Sequence, residues 1–447
     1  MANPISQRII NAKANPTINL RQTYPAADLA ENKNIDLICL SLGRSDSSLS
    51  SSGLSLAKEF AKNNRVFFID HPYSWKDYFN SERKEQMRWR KPALLFGKNP
   101  YSNPASFPAN LTVVTTPLTL PINSLPEGFF YNRLSKINDR ILKKTIKNII
   151  RDYHVKDYVF LNFYDPFFLN RISNKITPVR YKEITLLRSI YYCMDKLGEI
   201  AYFQKHGAQQ EETCMRNYDL TFCTSSELTR FASEFSPKVH FLPNGADTAL
   251  FNKAVTERLP RPQELQSVHT PIIGFIGHID FRIDYELVKK IALDNPDKTM
   301  VFVGPIESVV EHIKDELDNM KNVLFVGPRP ITDIPNYHQY FDCAIIPFFK
   351  TKLTRSVYPL KINEYLAAGL PVIATNFSAD IKSFDQVAYI EDTHEGFLQA
   401  IRTAISENTP ERVKERMNVA SQNSWTARVE KFWEIVSMEM RPKQAVD

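Results

Sequence analysis

Cysteine is scarce: five in 447 residues, at Cys39, Cys193, Cys214, Cys223 and Cys343, with no two in a CxxC pair. That pattern offers neither a disulfide framework nor a zinc cluster. Cys39, Cys223 and Cys343 sit in apolar runs (DLICLSL, LTFCTS, DCAIIPF), the surroundings of reduced core thiols in a cytosolic protein. Long hydrophobic stretches are also missing. No window approaches the ~18 apolar residues of a membrane span. The opening MANPISQRIINAKANPTINL lacks the apolar h-region of a secretory signal. Neither sign of charge dominates: 56 Lys and Arg against 50 Asp and Glu leave a net +6. That suits an anionic ligand but is too little to argue for nucleic acid. There is no repeat of 20–50 residues, which excludes a solenoid. There is no GxGxxG and no Walker A, which argues against dinucleotide and ATPase readings. No His, Cys and Asp residues cluster at metal-ligand spacing, so no metal site is expected.

What is present is a long series of short apolar runs alternating with helical patterns. The first series is IDLICLSL (35–42), RVFFID (65–70), LTVVTTP (111–117), DYVFLNFY (157–164), SIYYCM (189–194), LTFCTS (220–225) and VHFLP (239–243). A Ser-, Thr-, Pro- and Gln-bearing stretch, 256–270, interrupts it. The second series is PIIGFIGHI (271–279), KTMVFVGP (298–305), NVLFVGP (322–328), CAIIPFF (343–349), LPVIAT (370–375) and VAYIED (387–392). Runs that are apolar throughout, with helices between them, are the mark of parallel strands buried on both faces. The expected fold class is therefore α/β, with two Rossmann-like doubly wound domains. Residues 1–34 read as a tail, 35–255 as the first domain and 266–423 as the second. In SWTARVEKFWEIVSMEM (424–440) the apolar spacing predicts an amphipathic helix, placed in a final unit, 424–447, that packs back on the first domain.

The densest motif is RSVYPLKINEYLAAGLPVIAT, 355–375. Pro359 suits a first helical turn, and Gly369 a left-handed end, with Pro371 barring continuation. The spacing predicts a helix over about 357–368 and a strand over 370–375. A helix N-terminus presents free N–H groups and a positive dipole end, which suits phosphate. Arg355 and Lys361 would add charge, and Lys361 and Glu364 share one face. The plainer alternative is a surface helix with a Lys–Glu pair.

PLKINEYLAAGLPVIAT resembles the signature helix and strand of family 4 glycosyltransferases, which have the GT-B fold. FLPNGADTALF (241–251) is similar to that family's hinge segment. IIGFIGHIDFRIDYELV (272–288) is similar to the first strand and loop of its nucleotide-binding domain, and YDLTFCTSSELTR to its last N-domain strand and turn. The matches fall in order over about 190–425. Among family members, LTRSVYPLK looks most like capsule, teichuronic-acid or exopolysaccharide transferases. The resemblance implies two domains around a cleft, a nucleotide-sugar donor such as a UDP- or GDP-sugar on the C-terminal domain, and a glycan or lipid-linked acceptor mainly on the N-terminal one. It implies a retaining transfer without a bound metal or other cofactor, in cell-surface polysaccharide assembly.

Carried over residue by residue, Glu364 matches the second glutamate of the family's pair and is expected on the ribose diol. The first glutamate falls on Ser356, a departure that leaves the donor sugar unread. The family's Arg and Lys after the first C-domain strand fall on His278 and Ile283, so Arg282, Arg355 and Lys361 are the candidate replacements. Gly277 allows close backbone approach. Gly304 ends a later strand and is a candidate for the nucleobase pocket. Ser356 and Val357 complete the donor-side set, and Gly43 is expected to approach the donor phosphates from the N-domain. Asp195, ending a strand at the cleft, is the candidate for orienting the acceptor hydroxyl or donor sugar. His71 and His206 are candidates for an acceptor-side role. The basic segments 81–92 and 133–153 either solvate a core-packing helix or meet the cytoplasmic membrane face. For 133–153 the expected apolar face is Leu134, Ile137, Ile141, Ile149 and Ile150. Two rival functions stay open: a nucleotide-sugar-binding protein without catalysis, and an epimerase or phosphorylase on the same fold.

Overall fold

The computed structural model describes residues 35–47, 51–80, 84–170, 185–200, 203 and 205–440. The expected tail 1–34, part of the basic segment 81–92 and the end of the chain after 440 lie outside the described residues.

The first series of apolar runs forms one eight-stranded sheet. Its strands are β1 (Asp36–Ser41), β2 (Val66–Ile69), β3 (Tyr101–Ser102), β4 (Leu111–Val114), β5 (Asp157–Phe163), β6 (Thr185–Cys193), β7 (Leu220–Cys223) and β8 (Val239–Phe241). The spatial order is β3-β4-β2-β1-β5-β6-β7-β8. All neighbours are parallel except the short β3, which pairs antiparallel with β4 and has no apolar run to announce it. The second series forms a six-stranded parallel sheet, β11-β10-β9-β12-β13-β14. Its strands are β9 (Ile272–Ile276), β10 (Thr299–Val303), β11 (Val323–Gly327), β12 (Cys343–Ile346), β13 (Val372–Thr375) and β14 (Tyr389–Glu391). Every residue of β1, β2, β4, β7, β9 and β12 is buried, as strands covered by helices on both faces must be.

Each sheet reverses its strand order once, between β1 and β5 and between β9 and β12. At such switch points the crossover helices go to opposite faces and leave a crevice outside the carboxyl ends of the strands. The two carboxyl edges face each other. Asp380, after β13, accepts hydrogen bonds from the Ser226 backbone N–H, after β7, at 3.0 and 3.3 Å.

Three expectations are corrected. The second core begins earlier than the expected domain bounds: Phe251 and Ala254, assigned to the first domain, and Leu265, assigned to the stretch between the domains, are all buried in it. The basic helix spans Phe129–Asp152, and its buried stripe is Tyr131, Asn138, Leu142, Thr145, Ile146, Ile149 and Ile150. Ile137 is exposed, so the inward face is turned from the one the isoleucine spacing suggested. The phosphate-candidate helix spans Leu360–Ala367 with Pro359 as its N-cap, not in its first turn. Its end closes as expected: Gly369 has φ 70°, and the N–H groups of Gly369 and Leu370 bond the carbonyls of Leu366 and Tyr365, a Schellman end.

The helix Trp425–Met440 buries Trp425, Phe432 and Trp433 in the core of the first sheet. Phe432 meets Phe60 at 4.8 Å and Phe222 at 5.2 Å between ring centroids. The chain therefore passes between the sheets twice. The two passages pack on one another, with Ala246 bridged to Ser424. All five cysteines are free and buried. Among the described residues, no helix is long and apolar enough to cross a membrane.

Candidate active site

The site is built at the β9/β12 switch point. Gly277 follows β9 with φ 141° and Gly304 follows β10 with φ 149°, backbone conformations that side chains resist. Both positions also lack room. A Cβ on Gly304 would lie 2.0 Å from the Gly277 carbonyl oxygen, and one on Gly277 would lie 2.2 Å from the Lys361 Nζ. The two glycines let the strand ends close together and let the Lys361 ammonium rest on bare backbone. The helix Leu360–Ala367 carries that lysine across from the strand-β12 side.

Lys361 is the cation of the site. Its Nζ lies 5.7 Å from the Phe275 ring centroid. Burial pulls its pKa down, with Glu364 acting against that. Among the described residues it makes no salt bridge. Burial pushes the Glu364 carboxyl up to about 7, with Lys361 opposing. Glu364 lies in the wall of a cavity of about 430 Å³, with Leu360 and Ile331 from the second domain and Ser52, Ser55 and Lys58 from the first. An ammonium over glycine backbone and a carboxylate one turn along, beside a cavity, can hold an anion and a diol in sequence.

The other candidates are placed less simply. Arg282 is already held by Asp280, through Nε at 2.9 Å and Nη2 at 2.6 Å. His278 stands 3.4 Å from the same carboxylate. The Asp280–Arg282 pair is a feature that sequence reasoning missed as a pair. Asp195, across the cleft after β6, has its pKa pushed up to about 6 by burial, with Arg282 opposing. Arg355 lies exposed at the end of the helix Lys352–Arg355, and its charge reaches Glu227 of the first domain. Ser356 is buried and donates its hydroxyl to the Leu353 carbonyl at 2.7 Å, while the Val357 N–H bonds Thr354. The N–H groups of Leu360 and Ile362 are likewise taken, by the Tyr358 and Pro359 carbonyls. The helix terminus is thus less open than its sequence implies, and Lys361 is the stronger feature. Gly43 lies at the carboxyl end of β1, its N–H bonded to Ser41 Oγ at 3.1 Å. His206 is stacked on Tyr131 at 4.1 Å and bonded to the Leu125 carbonyl, a structural role. Among the described residues no three His, Cys, Asp or Glu side chains group as metal ligands do.

The model of the family described as Glycosyl transferases group 1 matches residues 270–407. That segment is similar to a glycosyl transferases group 1 domain. The matched segment contains Gly277, His278, Arg282, Gly304, Arg355, Ser356, Val357, Lys361 and Glu364; Gly43 and Asp195 belong to the first domain, and the Asp195 charge interacts with that of Arg282. Over 194 residues the chain is 33% identical to the putative teichuronic acid biosynthesis glycosyltransferase TuaH of Bacillus subtilis (strain 168), covering 42% of this chain and 48% of that one. Over 152 residues it is 26% identical to the D-inositol 3-phosphate glycosyltransferase of Corynebacterium glutamicum (strain R), covering 31% and 35%. The chain therefore spans about half, or less, of the length of these curated relatives. Among solved structures, the E. coli protein of trehalose-6-phosphate bound with UDP-2-fluoro glucose superposes with TM-score 0.61 at 11% identity, over 90% of this chain and 99% of that one. Anabaena HepE in complex with UDP gives 0.58 at 13%, over 90% and 100%. These likenesses establish the fold around the matched segment as GT-B, with two Rossmann-like domains facing a cleft.

Proposed function

We propose that the protein is a glycosyltransferase that moves a sugar from a nucleotide-sugar donor to a glycan or lipid-linked acceptor. The observation that carries this is the Lys361 ammonium seated on Gly277 at the switch point, one helical turn from Glu364. A turn is about 5.4 Å, comparable to the step from a diphosphate to its ribose. Lys361 would neutralise the departing diphosphate as its charge grows, and Glu364 would accept the ribose hydroxyls. Asp195 would orient the sugar or the acceptor from across the cleft. The match to TuaH supports a cell-surface polysaccharide setting, and the resemblance of the motif supports retention of configuration without a bound metal.

The acceptor side extends the proposal to the membrane. The helix Phe129–Asp152 exposes Arg140, Lys144 and Lys147, with Phe129 and Phe130 exposed at its start. Cations beside exposed rings suit an anionic bilayer surface, where a lipid-linked acceptor would reside at the cytoplasmic face.

The test is a thermal-shift screen of UDP-, GDP-, ADP- and dTDP-sugars with the wild type and Lys361→Ala. One donor class should raise the melting temperature, and the variant should lose most of that rise. A screen with no response from any nucleotide would sink the proposal. A second reading, donor binding without transfer, is favoured by Ser356 standing where the family has its first glutamate. Slow donor hydrolysis in the absence of acceptor would count against that second reading.

A further inference from the structure

The helix that carries Lys361 and Glu364 belongs to the second domain, and its Ile362, Tyr365, Leu366 and Ala367 are buried in that domain's core. Its first residue does not follow them. Leu360 packs against the core of the first sheet and shares the wall of the cavity of about 430 Å³ with Trp425 and Ser55. Tyr358, two residues earlier, is rooted in the second core: it is 6% exposed, and its ring meets that of Phe384 at 6.4 Å between centroids. Within two positions the chain is thus anchored in two different domains, and the donor reading gives neither residue a task.

What joins the two anchors is stiff. Pro359 has φ −77° and ψ 71°, and the Leu360 N–H donates to the Tyr358 carbonyl at 2.8 Å. That is an inverse γ-turn, and the proline ring fixes its φ. Tyr358 is held from both sides. Its hydroxyl accepts from Asn363 Nδ2 at 3.2 Å, on the helix that the turn begins. Burial raises its pKa, and the nearby Arg428 guanidinium acts against that. Arg428 comes from the helix Trp425–Met440. It donates through Nε to the Asn244 carbonyl at 3.5 Å and through Nη2 to Asn423 Oδ1. Asn244 and Asn423 lie on the two passages between the domains, which are pressed together: a Cβ on Gly245 would lie 2.8 Å from the Trp425 nitrogen. The turn therefore stands at the junction of the domains, and Lys361 is the next residue after it.

We propose that the turn Tyr358–Pro359–Leu360 is a clasp between the domains, and that Leu360 is a positioning residue for the donor site: its seat on the first core fixes where the Lys361 ammonium stands. The proposal deepens the donor reading, on which it rests for the ligand. It adds that the first domain acts on the donor cation through packing. Close-packed side chains pass between discrete arrangements rather than deforming continuously. A shift of the first core under Leu360 therefore moves the start of the helix, and the γ-turn leaves little slack to absorb it.

The experiment titrates the full chain with UDP, GDP, ADP and dTDP by calorimetry, and follows hydrogen exchange without ligand over residues 361–364. For the nucleotide that binds the wild type, Leu360→Ala should weaken binding roughly 5-fold or more. The same variant, free of ligand, should exchange faster over 361–364. Leu360→Met, which nearly keeps the volume, should restore both readouts. Tyr358→Phe removes only a hydroxyl, leaves the fold intact and should show the same two changes in smaller measure. Nucleotide affinity unchanged in both Leu360→Ala and Tyr358→Phe would overturn the proposal, whatever their melting temperatures. So would weaker binding with unchanged exchange, which is what a leucine that merely touched the nucleotide would give. If no nucleotide binds the wild type, the donor reading fails and exchange alone decides. Faster exchange in Leu360→Ala would then uphold the clasp, and unchanged exchange would overturn it.

Discussion

Glu364 and His338 show how burial alone sets a residue's chemistry. Glu364 has its pKa raised from 4.5 to about 7, so the folded protein holds a proton that the unfolded chain gives up. The stability tied to it is fully present below pH 4.5 and is lost as pH rises toward 7. Glu364→Gln should therefore raise the melting temperature at pH 8 by a few degrees, at about 2–4 °C per kcal/mol, and change little at pH 4.5. The same variant should weaken UDP binding roughly 10-fold or more at pH 8, since a hydrogen bond to a charged group is worth about 1.5–3 kcal/mol. Calorimetry at both pH values checks the pair of effects. Unchanged nucleotide affinity at pH 8 would leave Glu364 a structural partner of Lys361. His338 is the opposite case. It is 1% exposed, with neither ring nitrogen partnered, and burial lowers its pKa from 6.5 to about 3. Its stability contribution is present above pH 6.5 and falls as pH drops toward 3. His338→Leu should relieve that loss, so its advantage over wild type should be larger at pH 5 than at pH 7.5 in denaturant melts. Glu364 and Lys361 were legible in the sequence because they share one short motif. The hydrogen bond between His71 Nδ1 and Asp165 Oδ2, at 2.7 Å, was not, because 94 positions separate residues that only the sheet order brings together.

At the scale of elements, the helix Trp425–Met440 is the part whose removal should matter most. Six of its residues are buried, and its rings fill the space against Phe60 and Phe222. Deleting residues 425–447 should expose that apolar face, broaden the melting transition and drive aggregation, read by light scattering during a thermal ramp. A truncated chain that melts like the full one would refute the role. The strands were legible because buried parallel strands are apolar without interruption, as DLICLS and CAII are. The long basic helix was legible in extent but not in facing. Tyr131 and Asn138 turn inward, Asn138 bonding the Leu120 backbone at 2.8 and 3.1 Å, while Ile137 turns out. Residue type alone does not reveal which polar group has a backbone partner waiting. The bounds between the domains were also hard to read: Phe251, Ala254 and Leu265 are buried in the second core although Val255 between them is exposed, and few, scattered apolar residues give no periodic signal.

At the scale of the molecule, the two domains meet across the cleft through contacts that closure would remake. Asp380 is held by the Ser226 N–H, and Arg282 and Asp195 attract each other across the gap. Asp380→Asn, which keeps the shape and removes the charge, should loosen this contact, seen as a larger radius of gyration in small-angle scattering without ligand. Equal radii for the two proteins would show that the contact does not set the opening. Donor turnover should survive EDTA unchanged. Activity lost on chelation and restored by a divalent ion would contradict the metal-independent proposal.

The packing of Trp425–Met440 into the first core also sets a timetable. A ribosome builds the first sheet, through β8 at Phe241, long before it reaches Trp425. At about 5–20 residues per second, roughly 10–40 s pass while the second domain is synthesised. During that interval Phe60 and Phe222 have no Phe432 to cover them. The nascent first domain must wait with an apolar patch open, in the company of whatever chaperones attend the exit tunnel. The second domain has its whole core within one continuous stretch, 246–420, and is free to fold as soon as it emerges. The part of the chain made first is thus the last to be finished.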